Sequence, residues 1–203
     1  MDLRLNPTLI AATSNSGKIR EIQTCLADLG YQVLGLDDLP QARPSPEDGD
    51  TFEENARQKA IFYSQFSKHL TLADDSGLEV EALGREPGVR SARFLGETAT
   101  DEQRYRRILA LMESVPEPQR QARFVCCLAL AHQGKVIEVF EGSVEGVISR
   151  EPQGKEGFGY DPIFLLPQFC KTMAELSLEE KNLLSHRGQA LRKLALYLRP
   201  LKA

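Results

Sequence analysis

The sequence predicts an α/β protein built on a mixed, twisted sheet flanked by helices, arranged as two lobes with a central cleft. Three observations predict it. Short apolar runs of strand length are interspersed with amphipathic runs of helix length. One long stretch, "QARFVCCLALAHQGKVIEVFEGSVEGVI", alternates around a Gln-Gly pair as an antiparallel hairpin does. Strand and helix patterns are also mixed along the chain rather than strictly alternating, which favours a mixed sheet over an all-parallel one.

Taken in order, "TLIAAT" reads as a buried strand and "GKIREIQTCLADLG" as a helix closed by Gly30. "YQVLGL" reads as a second strand. The Pro-, Asp- and Gly-rich "DDLPQARPSPEDGD" is a loop. Thr51-x-x-Glu54 is a capping box ahead of the helix "FEENARQKAIFYSQFS". "LTLADDSGLEVEAL" reads as two short strands joined by a tight turn at Asp75-Ser76-Gly77. Thr100-x-x-Gln103 caps a helix over "DEQRYRRILALMES", and the hairpin follows. "SREPQGKEGFGYDPIF" is a glycine-rich loop running into a short apolar strand. Ser177-x-x-Glu180 caps a short helix, and a last helix carries Leu191, Leu194, Ala195 and Leu198 on one face. No internal repeat is visible, so 1–203 is read as one domain.

Composition excludes several classes. With 25 basic and 29 acidic residues the net charge is −4, and no long run of one sign occurs. A nucleic-acid binder working through a broad basic face is therefore not expected, though a small phosphorylated ligand needs only a local cluster of cations. Cys25, Cys126, Cys127 and Cys170 form no C-x-x-C pair, and two lie in an apolar strand, so reduced, mostly buried thiols are expected. The early Asp2 and short apolar run argue against a signal peptide, and no stretch is long enough to span a bilayer. A cytoplasmic protein without membrane contact is expected.

Four motifs carry chemistry. Thr13-Ser14-Asn15-Ser16-Gly17-Lys18 places small polar residues and a cation where a strand passes into a helix, an arrangement suited to an anion. It is not a Walker A loop, because Ile19 follows the lysine. In "ADDSGLEV" two carboxylates, Asp74 and Asp75, end an apolar run; on a strand they point to opposite faces, and a carboxylate at a strand end is a good ligand for Mg²⁺. In "GFGYDPIF" Gly157 and Gly159 flank Phe158, whose ring can stack on a nucleobase or plug the core. Asp161 there either accepts from a base edge or holds the loop. In "SHRGQAL", His186 and Arg187 fall in the first turn of the last helix, where a cation opposes the helix dipole by about 0.3–1 kcal/mol. An electron-rich partner would explain them.

Together with "TFEENARQKA" and "PGVRSARF", these segments stand in one order along essentially the whole chain. In that order the chain closely resembles the inosine/xanthosine triphosphate pyrophosphatases. The resemblance implies the fold of that family and Mg²⁺-dependent hydrolysis of ITP, dITP and XTP to the monophosphate and pyrophosphate, clearing deaminated purines from the nucleotide pool. By motif, Thr13, Ser14, Asn15, Ser16, Gly17 and Lys18 would bind the triphosphate, with Lys59 as a second cation. Asp75 would be the metal ligand and the base for water, Asp74 its support, and Ser76 a substrate contact. Glu47 would be the other metal ligand. Phe158, Gly159, Tyr160, Asp161, Lys181, Ser185, His186 and Arg187 would form the base pocket. The family also implies a homodimer. Arg85 and Arg90 stand where many relatives carry glycine and an aromatic residue. The rival readings are a non-catalytic nucleotide sensor, a nucleic-acid binder, and a pyrophosphatase for other altered nucleotides such as modified pyrimidines.

Overall fold

The computed structural model describes residues 7–39 and 43–199, so the sequence reading of the first six residues and the middle of the 37–50 loop lies outside the described residues. Among the described residues seven strands form one mixed sheet in the order β2-β1-β3-β4-β5-β6-β7. They are β1 (Thr8–Ala11), β2 (Gln32–Leu34), β3 (Leu70–Val80), β4 (Gln121–His132), β5 (Lys135–Ile148), β6 (Phe164–Leu166) and β7 (Lys171–Thr172). The helices are α1 (Ser16–Leu26), α2 (Phe52–Ser64), α3 (Asp101–Leu111), α4 (Leu178–Leu184) and α5 (His186–Leu198). β1 is parallel to both neighbours, with Leu9 opposite Val33 and Leu70, while β5-β6 and β6-β7 are antiparallel. Among the described residues no helix is long and apolar enough to cross a membrane.

Local chemistry accounts for most boundaries. Asn15 caps α1 by accepting the Lys18 N–H, and Gly30 follows in the left-handed region at φ 61°. Thr51 with Glu54, Thr100 with Gln103 and Ser177 with Glu180 form reciprocal capping boxes on α2, α3 and α4. Gln133 and Gly134 both have positive φ, the backbone that a two-residue turn between right-twisted strands requires.

One expectation is corrected. The predicted turn at Asp75-Ser76-Gly77 is absent, and β3 runs unbroken through it. Gly77 serves close approach instead: a Cβ there would lie 2.3 Å from Ser91 Oγ and 2.5 Å from the Gly88 carbonyl. Ser91 Oγ in turn accepts the Leu78 N–H and donates to Gly88 O.

The chain divides into two compact units, residues 1–75, 126–142 and 187–203, and residues 76–125 and 143–186. The first has a core of Leu9, Ile22, Leu26, Leu72, Leu128, Leu191, Leu194 and Leu198. The second packs Leu78, Ile108, Met112, Phe124, Ile148, Ile163, Phe164 and Met173. Within the second unit a buried arginine, Arg120, staples the backbone: it donates to the carbonyls of Met112, Val115, Ile148 and Ser149.

Candidate active site

In the first unit, charged side chains gather around the end of β3's first half. Asp74 and Asp75 are both buried and, as strand alternation requires, meet different partners. Asp74 accepts from Lys18 Nζ, from Arg187 Nε at 2.7 Å and from Cys126 Sγ at 3.4 Å. Arg187 Nη1 reaches Glu21 Oε2 at 2.7 Å, so α1, β3 and α5 share one buried chain of charges, Glu21–Arg187–Asp74–Lys18. Burial opposes the charge of Asp74, but the Arg187 and Lys18 cations outweigh it and hold the carboxyl well below the usual range. Arg187 is likewise held above its ordinary value, its carboxylate partners outweighing burial.

Asp75 faces α2. Lys59 Nζ lies 3.1 Å from its Oδ1 and Asn55 Nδ2 3.1 Å from its Oδ2. Asn55 and Lys59 are four residues apart, hence on one helix face. Burial pushes the Asp75 carboxyl up despite Lys59 and Lys18 nearby. Lys59 Nζ also meets Glu47 Oε1 at 2.8 Å, so one ammonium gathers two carboxylates from separate segments. Those carboxylates, Asp75 and Glu47, hold Lys59 above its ordinary value against the opposing effect of burial.

This donor set suits Mg²⁺, which takes one or two carboxylates and fills its remaining positions with water and phosphate oxygens. Glu47 and Asp75 already converge on one cation. Among the described residues no group of three or more His, Cys, Asp or Glu is placed to hold a metal, as the closed site of a structural ion would need.

The strand-to-helix turn lies at the start of α1. Thr13 Oγ1 accepts the Asn15 N–H and Asn15 Oδ1 the Lys18 N–H, while Ser14 Oγ is 3.5 Å from Asp37. Ser14, Asn15 and Ser16 are exposed, and Gly17 and Lys18 half-buried. Ser76 is half-buried on β3.

In the second unit, Asp161 Oδ2 accepts the Phe158 N–H at 2.9 Å and the Lys181 ammonium at 2.6 Å, and Lys181 Nζ stands 4.5 Å from the Phe158 ring centroid. Through these contacts Asp161 ties the loop to itself and to α4. Gly159 donates its N–H to Asp101 Oδ2. The Tyr160 ring is in the core and its hydroxyl donates to Ser91 O. His186 stacks on Phe124, with centroids 4.7 Å apart and planes 15° apart. Ser185 is buried where α4 ends, its N–H given to Lys181 O.

Lys18, Lys59, Asp74, Asp75 and Glu47 are thus brought together in one unit, and Phe158, Asp161 and Lys181 in the other. Arg187, grouped in the sequence reading with the base pocket, has its guanidinium between two carboxylates of the first unit. These are the electron-rich partners that its place in the first turn of α5 calls for. Glu21, Asn55 and Asp101 were missed. The available signal for the first two was a polar residue at helical spacing from a lysine, Glu21 three after Lys18 and Asn55 four before Lys59.

Comparison with known proteins agrees over most of the chain. The model of the Ham1 family matches residues 9–197. The dITP/XTP pyrophosphatase of Desulforamulus reducens is 49% identical over 185 residues, covering 91% of this chain and 92% of that protein. That of a Thermus thermophilus strain is 50% identical over 92% of this chain and 89% of its own length. Among solved structures, a HAM1 protein from Coxiella burnetii superposes with a TM-score of 0.85 at 40% identity, over 96% of this chain and 99% of that one. The Staphylococcus aureus Ham1 protein gives 0.83 at 39% identity, over 95% and 98%. With the fold, the order of motifs and near-half identity in agreement, the chain belongs to the Ham1 family.

Proposed function

We propose that this protein hydrolyses deaminated purine nucleoside triphosphates, ITP, dITP and XTP, to the monophosphate and pyrophosphate. The observation that carries the reading is Asp75: a buried carboxylate gripped by Lys59 and Asn55, in a chain half identical to pyrophosphatases named for dITP and XTP.

Its chemistry follows from the groups around it. Lys18 and Lys59 offset phosphate charge, and the turn from Thr13 to Gly17, exposed at Ser14, Asn15 and Ser16, presents the start of α1 to the anion. Glu47 and Asp75 would hold Mg²⁺. When bound, that ion supplies further charge neutralisation on the phosphate oxygens. Asp75 takes a proton from the attacking water as its oxygen bonds to phosphorus, and the α–β bridging bond breaks to release pyrophosphate. Asp74, locked between two cations, stays ionised and holds Lys18 in place.

The base is read by the second unit's loop. Phe158 offers a ring face, Lys181 stands beside it, and His186, stacked on Phe124, is a further donor assigned to the base. Hypoxanthine and xanthine present an acceptor oxygen at position six where adenine presents a donor amino group. Donors facing that amino group are left unpaired, at about 1–3 kcal/mol each. The same proposal includes 1–203 as one catalytic domain, a homodimer, no nucleic-acid or membrane partner, and a cytoplasmic location, in keeping with four free cysteines.

Pyrophosphate release from ITP, XTP, GTP and ATP, with and without Mg²⁺, tests the reading. Asp75→Asn should lower kcat for ITP at least a hundredfold, with substrate Kd changed less than about threefold. Near-normal kcat in that variant, or ATP turned over as fast as ITP by the native protein, would refute it.

A further inference from the structure

We infer that Asp101, the first residue of α3, is a positioning residue for the purine-reading loop, a role that rests on the function proposed above. Two consecutive backbone N–H groups of that loop are each held by a carboxylate. Phe158 N–H goes to Asp161 Oδ2 at 2.9 Å, from within the loop, and Gly159 N–H goes to Asp101 Oδ2 at 2.7 Å, from α3. A hydrogen bond to an ionised acceptor is about twice as strong as a neutral one. Phe158 is therefore pinned on both sides, between two glycines whose positive φ, 78° at Gly157 and 65° at Gly159, leaves the free loop many alternatives.

Asp101 is itself oriented. Its Oδ1 meets Arg104 Nη1 at 3.1 Å, and Arg104 donates Nε to Phe94 O and Nη2 to Gly96 O. The first turn of α3 therefore clasps two loops of this unit, 94–96 and 157–161. Asp101 is half-exposed and outside the core; besides this tether its side chain pairs with Arg104 and sits in the first turn of α3, where a carboxylate suits the helix dipole. Pre-ordering a loop removes an ordering cost otherwise met on binding, so its loss falls on affinity rather than on the bond-breaking step.

The test uses Asp101→Ala and Asp101→Asn in the full chain. The asparagine keeps a carbonyl oxygen for the Gly159 N–H. In the unliganded protein, hydrogen exchange at the Gly159 amide should quicken at least tenfold in Asp101→Ala and return to within about threefold of native in Asp101→Asn. With ITP, KM should rise about tenfold in Asp101→Ala while kcat changes less than twofold, and Asp101→Asn should restore KM. Unchanged Gly159 exchange in Asp101→Ala overturns the tether. Faster exchange with unchanged KM, or a fall in kcat alone, overturns the positioning role. If the native protein does not hydrolyse ITP, the proposed function fails and the role in purine reading fails with it; the exchange result still decides the tether.

Discussion

Replacing Asp74 by asparagine tests the buried charge chain most directly. The amide keeps the shape of the carboxylate but not its charge, so Lys18 and Arg187 lose their shared counter-ion while the Arg187–Glu21 pair remains. Both Asp74 and Arg187 are almost wholly buried, at 3% and 2% exposure, so water cannot make good the loss. Removing one partner of a buried ion pair costs about 3–5 kcal/mol. At 2–4 °C per kcal/mol for a chain of this size, Tm should fall by about 6–20 °C. The effect carries a pH signature. Asp74 is held below its ordinary value of 3.8, so its contribution is fully present above that pH and lost as pH falls through the lowered folded value. Urea unfolding of the native and Asp74→Asn proteins should therefore show a constant gap from pH 8 down to about 5, narrowing below about 4. A gap under about 1 kcal/mol at pH 7, or one that does not narrow in acid, would refute this account of Asp74.

Arg120→Met should destabilise the second unit by at least about 2 kcal/mol, because buried carbonyls of Met112 and Ile148 lose their donor; a urea midpoint equal to native would contradict the staple. Gly157→Ala should both strain a backbone at φ 78° and drive a Cβ to within 2.1 Å of Asp161 Oδ2. A KM for ITP raised several-fold is the expected reading, and a native KM would show that the loop does not depend on this packing.

Much of the fold was legible in the residues because it is local. Capping pairs three apart, the Gln133-Gly134 turn and the apolar stripe of α5 act over one or two helical turns or across a hairpin. The nature of the groups at the site was legible for the same reason: small polar residues before Lys18, paired carboxylates, glycines flanking Phe158. The break predicted at Gly77 failed because glycine has two uses, a turn or a close approach, and only the arrival of Ser91 and Gly88 beside β3 selects the second.

The sequence by itself determined most of the segments that become strands and helices, and which charged and small residues sit at their ends. Tertiary structure alone decided which charges meet. Arg187 finds Asp74 across 113 residues and Glu21 across 166, and Tyr160 finds Ser91 across 69. The physical reason is that a charge is stable in the interior only beside its counter-ion, and no pattern along the chain records which distant segment the fold will bring to it.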